Sequence, residues 1–220
     1  MHHAALLLLA DGRLPAGGYA HSGGLEPAIQ AGQVRDLDDV AAFIGGRLDT
    51  VGQMAATFAA AACRAAQIGD GARLDYLDAA LDARSPSPAV RATSRQLGRQ
   101  LLRTVTRLRP DPRYALLGRQ PHQPLTLGVV CAVFDLSPHD AALTVLHETA
   151  AGVAGSAVRL LSLDPVAAYT VLAGHAHRID DLAATASADC DDAELPAAAA
   201  PLLDLYAELH AARTGRLFAS

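Results

Sequence analysis

The residues that could do chemistry are concentrated first in one short stretch. Leu9 to Glu26 reads LADGRLPAGGYAHSGGLE and holds five glycines and a proline. Within it, Ala20-His21-Ser22-Gly23-Gly24 approximates the sharp turn that presents the nucleophile of a serine hydrolase. That turn needs a strand before it and a His–acid pair beside it. RLPAGGY has no strand character, so a small-molecule hydrolase using Ser22 is kept only as an alternative. Gly18 and Gly23 have the spacing of a phosphate-binding loop, yet Gly24 and Leu25 stand where its Lys and Ser/Thr would hold phosphate and magnesium. The glycines fit instead a tight loop whose backbone takes positive φ or approaches other backbone closely, with Pro15, Gly17, Gly18 and Gly24 as its structural positions.

The nine histidines do not assemble a metal signature. His147-Glu148 opens a His-Glu-x-x-His pattern, but Ala151 occupies the second histidine's place, and His175 and His177 point to different sides of a helix. His2 and His3 are adjacent near the N-terminus, where two imidazoles bind transition metals weakly and unspecifically. No pair of carboxylates and no Cys/His dyad has a spacing that commits it to acid–base or nucleophilic work. The reading is therefore non-enzymatic, with no cofactor and no resident metal.

All 18 cationic residues are arginine, against 23 acids, a net charge of −5 that gives no general attraction to nucleic acid or to an anionic membrane. Arg91, Arg95, Arg99, Arg103 and Arg107 recur every fourth residue, and residues 84–119 form a basic island in an acidic chain. Arg95 and Arg99 are candidate contacts for an acidic partner; the other reading is a solvated face neutralised by neighbouring helices. The cysteines Cys63, Cys131 and Cys190 are odd in number and far apart, which fits a reducing, cytoplasmic compartment. The apolar run Ala4 to Ala10 is too short to span a bilayer.

The elements that must position these residues are helical. Hydrophobic content is 51% but aromatic content only 4%, with no Trp, so the core is built from Ala, Leu and Val in closely packed helices. Asp36 caps a helix whose apolar positions Val40, Phe43, Ile44 and Leu48 recur at helical spacing. Val51 to Gln67 is so rich in Ala and poor in charge that it reads as a buried central helix. A short helix over 72–81 follows. Ser87-Pro88 opens another over 89–108, Ser137-Pro138 one that runs to Leu161 with interruptions at Gly152 and Gly155, and Asp164-Pro165 one through VAAYTVLAGHAHRIDDLA. A last helix covers 202–213. Residues 125–136 suit a buried strand or a helix equally. Residues 185–201 read as a loop. The simplest account is all-α, one multi-helix domain of about eight to ten helices over 1–220.

The sequence then carries a resemblance. Leu14-Pro15-Ala16-Gly17-Gly18-Tyr19-Ala20-His21-Ser22-Gly23-Gly24-Leu25-Glu26 is similar to the N-terminal signature of the urease accessory protein UreF family. Ser94-Arg95-Gln96-Leu97-Gly98-Arg99-Gln100-Leu101-Leu102 resembles its Ser-x-Gln-x-Gly helix, VAGSAVRL over 153–160 its Ala-Val-Arg-Leu helix end, and Arg216-Leu217-Phe218-Ala219-Ser220 its closing segment. Ala16, Gly23, Pro27 and Ala219 depart from the family pattern, and the Gly-Gln-rich turn after the Arg-Leu end is replaced by Leu161-Ser162-Leu163-Asp164-Pro165, so the chain is identified as a divergent member.

The resemblance implies a non-catalytic, all-α protein that dimerises. It joins a UreD/UreH-like protein and a UreG-like GTPase, and that assembly inserts nickel into apo-urease. Residues 1–24 and 214–220 are then segments ordered by partners. Arg216, Leu217, Phe218 and Ser220 are expected to be buried against the UreD-like protein. Tyr19, His21 and Glu26 are expected at a surface or packing junction, Tyr19 more as a packed residue because its ring is costly to leave wet. Arg95 and Arg99 are expected to dock the GTPase. A stand-alone nickel-binding metallochaperone using His2, His3 and other histidines is the other alternative.

Overall fold

A computed structural model of the chain describes residues 3–191, 195–213 and 217–218. Its helices are α1 (His3–Leu9), α2 (Leu25–Gln30), α3 (Leu37–Arg47), α4 (Gln53–Ile68), α5 (Gly71–Ala83), α6 (Pro88–Leu108), α7 (Gln123–Val133), α8 (Pro138–Leu160), α9 (Pro165–Gly174), α10 (Ala176–Ala188) and α11 (Pro201–Ala211). The fold is all-α, with no strand among the described residues.

The caps lie where the local chemistry puts them. Asp36, Asp70, Ser87 and Ser137 each accept an amide proton from the first turn of the helix they precede, and Ser137 with Asp140 forms a reciprocal capping box. Asp164 caps α9 in the same way. α3 runs into α4 through one π-helical turn, Leu48–Gly52.

α4 is the central helix. Eleven of its residues are buried, most of them Ala, with Phe58 the bulkiest. α7 and α8 pack against it. α7 settles the ambiguity over 125–136: the segment is a helix buried from Pro124 to Val133, and its β-branched residues pack against alanines rather than against a sheet. The approach is backbone to backbone, because a Cβ on Gly128 would lie 2.2 Å from the Ala59 carbonyl oxygen. Burial on this scale, at about 1.5–3 kcal/mol for each large aliphatic side chain, needs no disulfide, and all three cysteines are free and buried.

Three expectations toward the C-terminal side are corrected. The segment read as one helix after Asp164 is two, α9 and α10, which meet at His175, whose Nε2 is 3.1 Å from the Ala41 carbonyl. The loop read from Thr185 begins later, since α10 runs to Ala188. Neither Gly152 nor Gly155 interrupts α8.

Candidate functional site

The glycine-rich segment folds as a loop laid across three helices. Gly17, Gly23 and Gly24 all take positive φ, of 90°, 63° and 88°, so Gly23 joins the two positions expected to need glycine. A side chain on Gly17 would also run into the Gln100 amide of α6. Gly18 starts a 3-10 turn (Gly18–Ala20) with open space where a Cβ would lie, so the expectation of a structural role for it is not met. Pro15 is exposed, and its carbonyl accepts from Thr104 Oγ1 on α6 at 2.8 Å. Arg47 of α3 donates to the Gly23 carbonyl at 2.6 Å, and burial lowers its pKa to about 10. Arg159 of α8 donates to the Tyr19 carbonyl at 3.1 Å.

At the end of this loop sits a buried carboxylate. Glu26 is 4% exposed, and its amide is held by Ser22 Oγ at 3.2 Å. Its oxygens take the backbone N–H groups of Leu217 and Phe218, both at 3.0 Å, and the ring of the buried His210 lies 3.1 Å away. Burial pushes the Glu26 carboxyl up, but the donors from Leu217, His210 and Phe218 outweigh it and hold it below the usual range. The Phe218 ring is buried, with the Arg159 guanidinium 4.3 Å above its centre. Arg159 thus touches the loop with its donor and the tail with its face.

The sequence-predicted residues divide here. Glu26 and Phe218 are brought together, and the protein's own chain buries Phe218. Leu217 is 67% exposed, and Tyr19 is 68% exposed, which corrects its reading as a packed side chain. His21 is half-buried, and desolvation lowers its pKa. Arg216, Ser220 and Ala219 lie outside the described residues, as do His2 and the side chain of His3. Ser22 is fully buried and caps the Glu26 amide, with no strand before it, which removes the hydrolase reading. No group of three His, Cys, Asp or Glu side chains suited to a metal occurs among the described residues.

The arginine stripe is also partly corrected. Arg95 is turned toward α5, bonding Asp78 Oδ2 at 3.0 Å and Asp82 Oδ1 at 2.8 Å, so its charge is answered within the chain. Arg91 donates to the Ser85 and Pro86 carbonyls. Arg99 reaches only the Gln120 side-chain oxygen, and Arg103 and Arg107 are exposed; among the described residues none of these three makes an ion pair. Gln100, Arg103, Thr104 and Arg107 share one side of α6, so the outward cations run beside the glycine-rich loop.

A second buried junction was not legible beforehand. His122, 1% exposed at the start of α7, sets Nδ1 3.0 Å from Ser94 Oγ and Nε2 3.1 Å from Asp82 Oδ1. Gln123 N also donates to Ser94 Oγ, and His122 N to Asp78. A Cβ on Gly98 would lie 2.1 Å from the Pro121 carbonyl oxygen. The Ser-x-Gln-x-Gly pattern is therefore the seat on which the start of α7 is fastened.

Comparison with known proteins follows the same motifs. A family model described as UreF matches residues 34–176. A urease accessory protein UreF of Mycobacterium sp. (strain JLS) is 43% identical over 218 residues, 98% of this chain and 97% of that protein. Another from Mycobacterium tuberculosis (strain ATCC 25618 / H37Rv) is 40% identical over 217 residues, 99% and 98% of the two chains. With more than half of the chain matched by the family model and relatives this similar along nearly its full length, the chain belongs to the UreF family.

Proposed function

We propose that the protein acts in urease maturation as a non-catalytic scaffold, bridging a UreD/UreH-like protein and a UreG-like GTPase while nickel is delivered to apo-urease in a GTP-dependent step. Family membership supports the urease role. The observation that carries the scaffold reading is the junction at Glu26, which gathers the two signature segments of the family at one place and leaves Tyr19 and Leu217 exposed there. Large apolar side chains left exposed beside a buried junction suit a protein partner that covers them. This face is assigned to the UreD-like protein, with residues 1–24 and 214–220 as the segments it orders. The outward cations Arg99, Arg103 and Arg107 are assigned to the GTPase, and the working unit is a homodimer in the cytoplasm. No helix among the described residues is long and apolar enough to cross a membrane.

The test is size-exclusion chromatography with light scattering on the protein alone and mixed with both partners, with GTP and nickel present. One defined complex containing all three proteins is the expected result. Replacing Leu217 by Ser should weaken capture of the UreD-like protein about tenfold or more, as an interface anchor does. Failure of folded partners to join the protein would overturn the reading.

A further inference from the structure

The junction at Glu26 does more than collect two segments. Three contacts join them, and each ties an element of the loop to an element of the tail. The Glu26 carboxylate, at the head of α2 directly after the loop, accepts the Leu217 and Phe218 amides. His210 on α11, the helix that leads into the tail, closes on the same carboxylate. Arg159 spans from the Tyr19 carbonyl to the Phe218 ring. Within the loop Leu14 donates to Asp11, Ala16 to Leu14, Ala20 and His21 to Gly17 and Gly18, and the Leu25 and Glu26 amides to Ser22, while Thr104, Arg47 and Arg159 hold its Pro15, Gly23 and Tyr19 carbonyls from outside. With five glycines in the segment, its free backbone loses much entropy on ordering, so an external fastener decides how often it is ordered.

We propose that Arg159 and Glu26 are positioning residues that couple the two ends of the chain, so that the tail fastens the glycine-rich loop and the loop fastens the tail. Two segments that share their holding residues are linked energetically, and the linkage is reciprocal. Release of Phe218 removes the surface on which Arg159 rests and leaves the Tyr19 carbonyl to water; opening of the loop moves Glu26 away from the tail amides. Tyr19 and Leu217 are then presented together more often than apart, and a partner that grips one meets a lower ordering cost at the other. This consequence for binding rests on the scaffold reading; the coupling itself belongs to the protein alone.

Hydrogen exchange on the full-length protein without partners tests it. In Phe218→Ala, a change at the chain's end that leaves the helical core intact, the amides of residues 17–26 should exchange about five to ten times faster, the size expected when roughly 1 kcal/mol of local closing energy is lost, while those of α4 are unchanged. Arg159→Met, which keeps the aliphatic stem, and Glu26→Gln should raise exchange in both segments, and Phe218→Ala combined with Arg159→Met should add little to either alone. Unchanged exchange over 17–26 when the tail is released, or strict additivity of the two variants, would overturn the coupling. Coupling found in the free protein together with unaltered capture of the UreD-like protein would instead remove the binding face assigned above and leave the coupling standing.

Discussion

Two buried junctions in this molecule are built from the same parts and serve opposite ends. Each sets a histidine against a carboxylate: His122 on Asp82 in one, His210 on Glu26 in the other, both near 3.1 Å. Around His122 every element is a long helix or its first turn, and the neighbouring charges answer one another, Arg95 against Asp78 and Asp82. Around Glu26 the elements are a glycine-rich loop, a six-residue helix and a chain end, and the outer edge carries exposed apolar side chains. The first closes on itself and holds the core in register. The second is complete only when the tail comes back to it, which makes it suited to recognition. The difference teaches that a family signature can mark two unlike things: Ser94 and Gly98 seat the start of α7, while Gly17, Gly24 and Glu26 shape a loop that leaves Tyr19 exposed.

The comparison breaks most severely at Gly98. Replacing it by Ala puts a methyl against the Pro121 carbonyl and should cost about 3 kcal/mol, the upper range for overpacking, read by urea denaturation. Phe218→Ala should change the same unfolding midpoint by less than a third of that, because the tail sits at the edge. Equal losses would mean that the tail is part of the core.

Charge reversal separates the two halves of the arginine stripe. Arg95→Glu sets a third acid against Asp78 and Asp82 in a partly buried site and should cost about 2 kcal/mol. Arg103→Glu, on the solvent side, should stay within about 0.5 kcal/mol in stability. If it also left GTPase recruitment unchanged, the outward cations would lose their assignment. Sequence alone could not make this division. The stripe is regular, but the acids that answer Arg95 lie 13 and 17 residues earlier on another helix, and their distance depends on how α5 packs.

That contrast states the wider pattern of what was legible. Caps such as Asp36, Ser87 and Ser137 act on amides two or three residues away, so their types announce the helices that follow. α7 was ambiguous because a fully buried segment shows no periodicity to distinguish strand from helix. His122 gave no signal, because its partners come from α5 and α6 and meet only in the folded chain. Glu26 and the tail are 191 and 192 residues apart in pairing, and only the family resemblance pointed to both. Tyr19 departs from the expectation because the rule for buried aromatic rings does not apply to a ring that the fold leaves exposed.

Acidification should open the junctions in order. His122 has its pKa lowered, by burial first and by Arg95 next, against the pull of Asp78 and Asp82. A histidine lowered on folding takes up its proton more readily in the unfolded chain, so its contribution is full above the ordinary value of about 6.5 and is lost as pH falls through the folded value. Glu26 is also lowered, but from an ordinary value of about 4.3, so its hold on the tail is full above that pH and lost below it. Burial raises the Glu148 carboxyl to about 7, which has the opposite sign: ionisation in the unfolded chain makes folding less favourable as pH rises from about 4.3 to 7. Glu148→Gln removes this opposing trend. In that background, stability by urea should fall as pH drops below about 6.5, where His21 and His147, also lowered by burial, act with His122, and the Phe218 ring resonances should shift only below about pH 4.3. Release of Phe218 in the upper window would mean that the two junctions are not independent.

The smallest expected effect on stability is also the one that assigns a role. Tyr19→Ser and Leu217→Ser each remove an exposed apolar side chain and should change stability by no more than about 0.5 kcal/mol. A residue that the fold does not need but a partner does must show its cost elsewhere, here in capture of the UreD-like protein. The pair should act less than additively on that capture if both side chains sit on one coupled surface, because loosening either end already gives up part of what the other contributes. Full additivity would divide the surface into two separate contacts, and the common position of Arg159 between Tyr19 and Phe218 would then serve the fold alone.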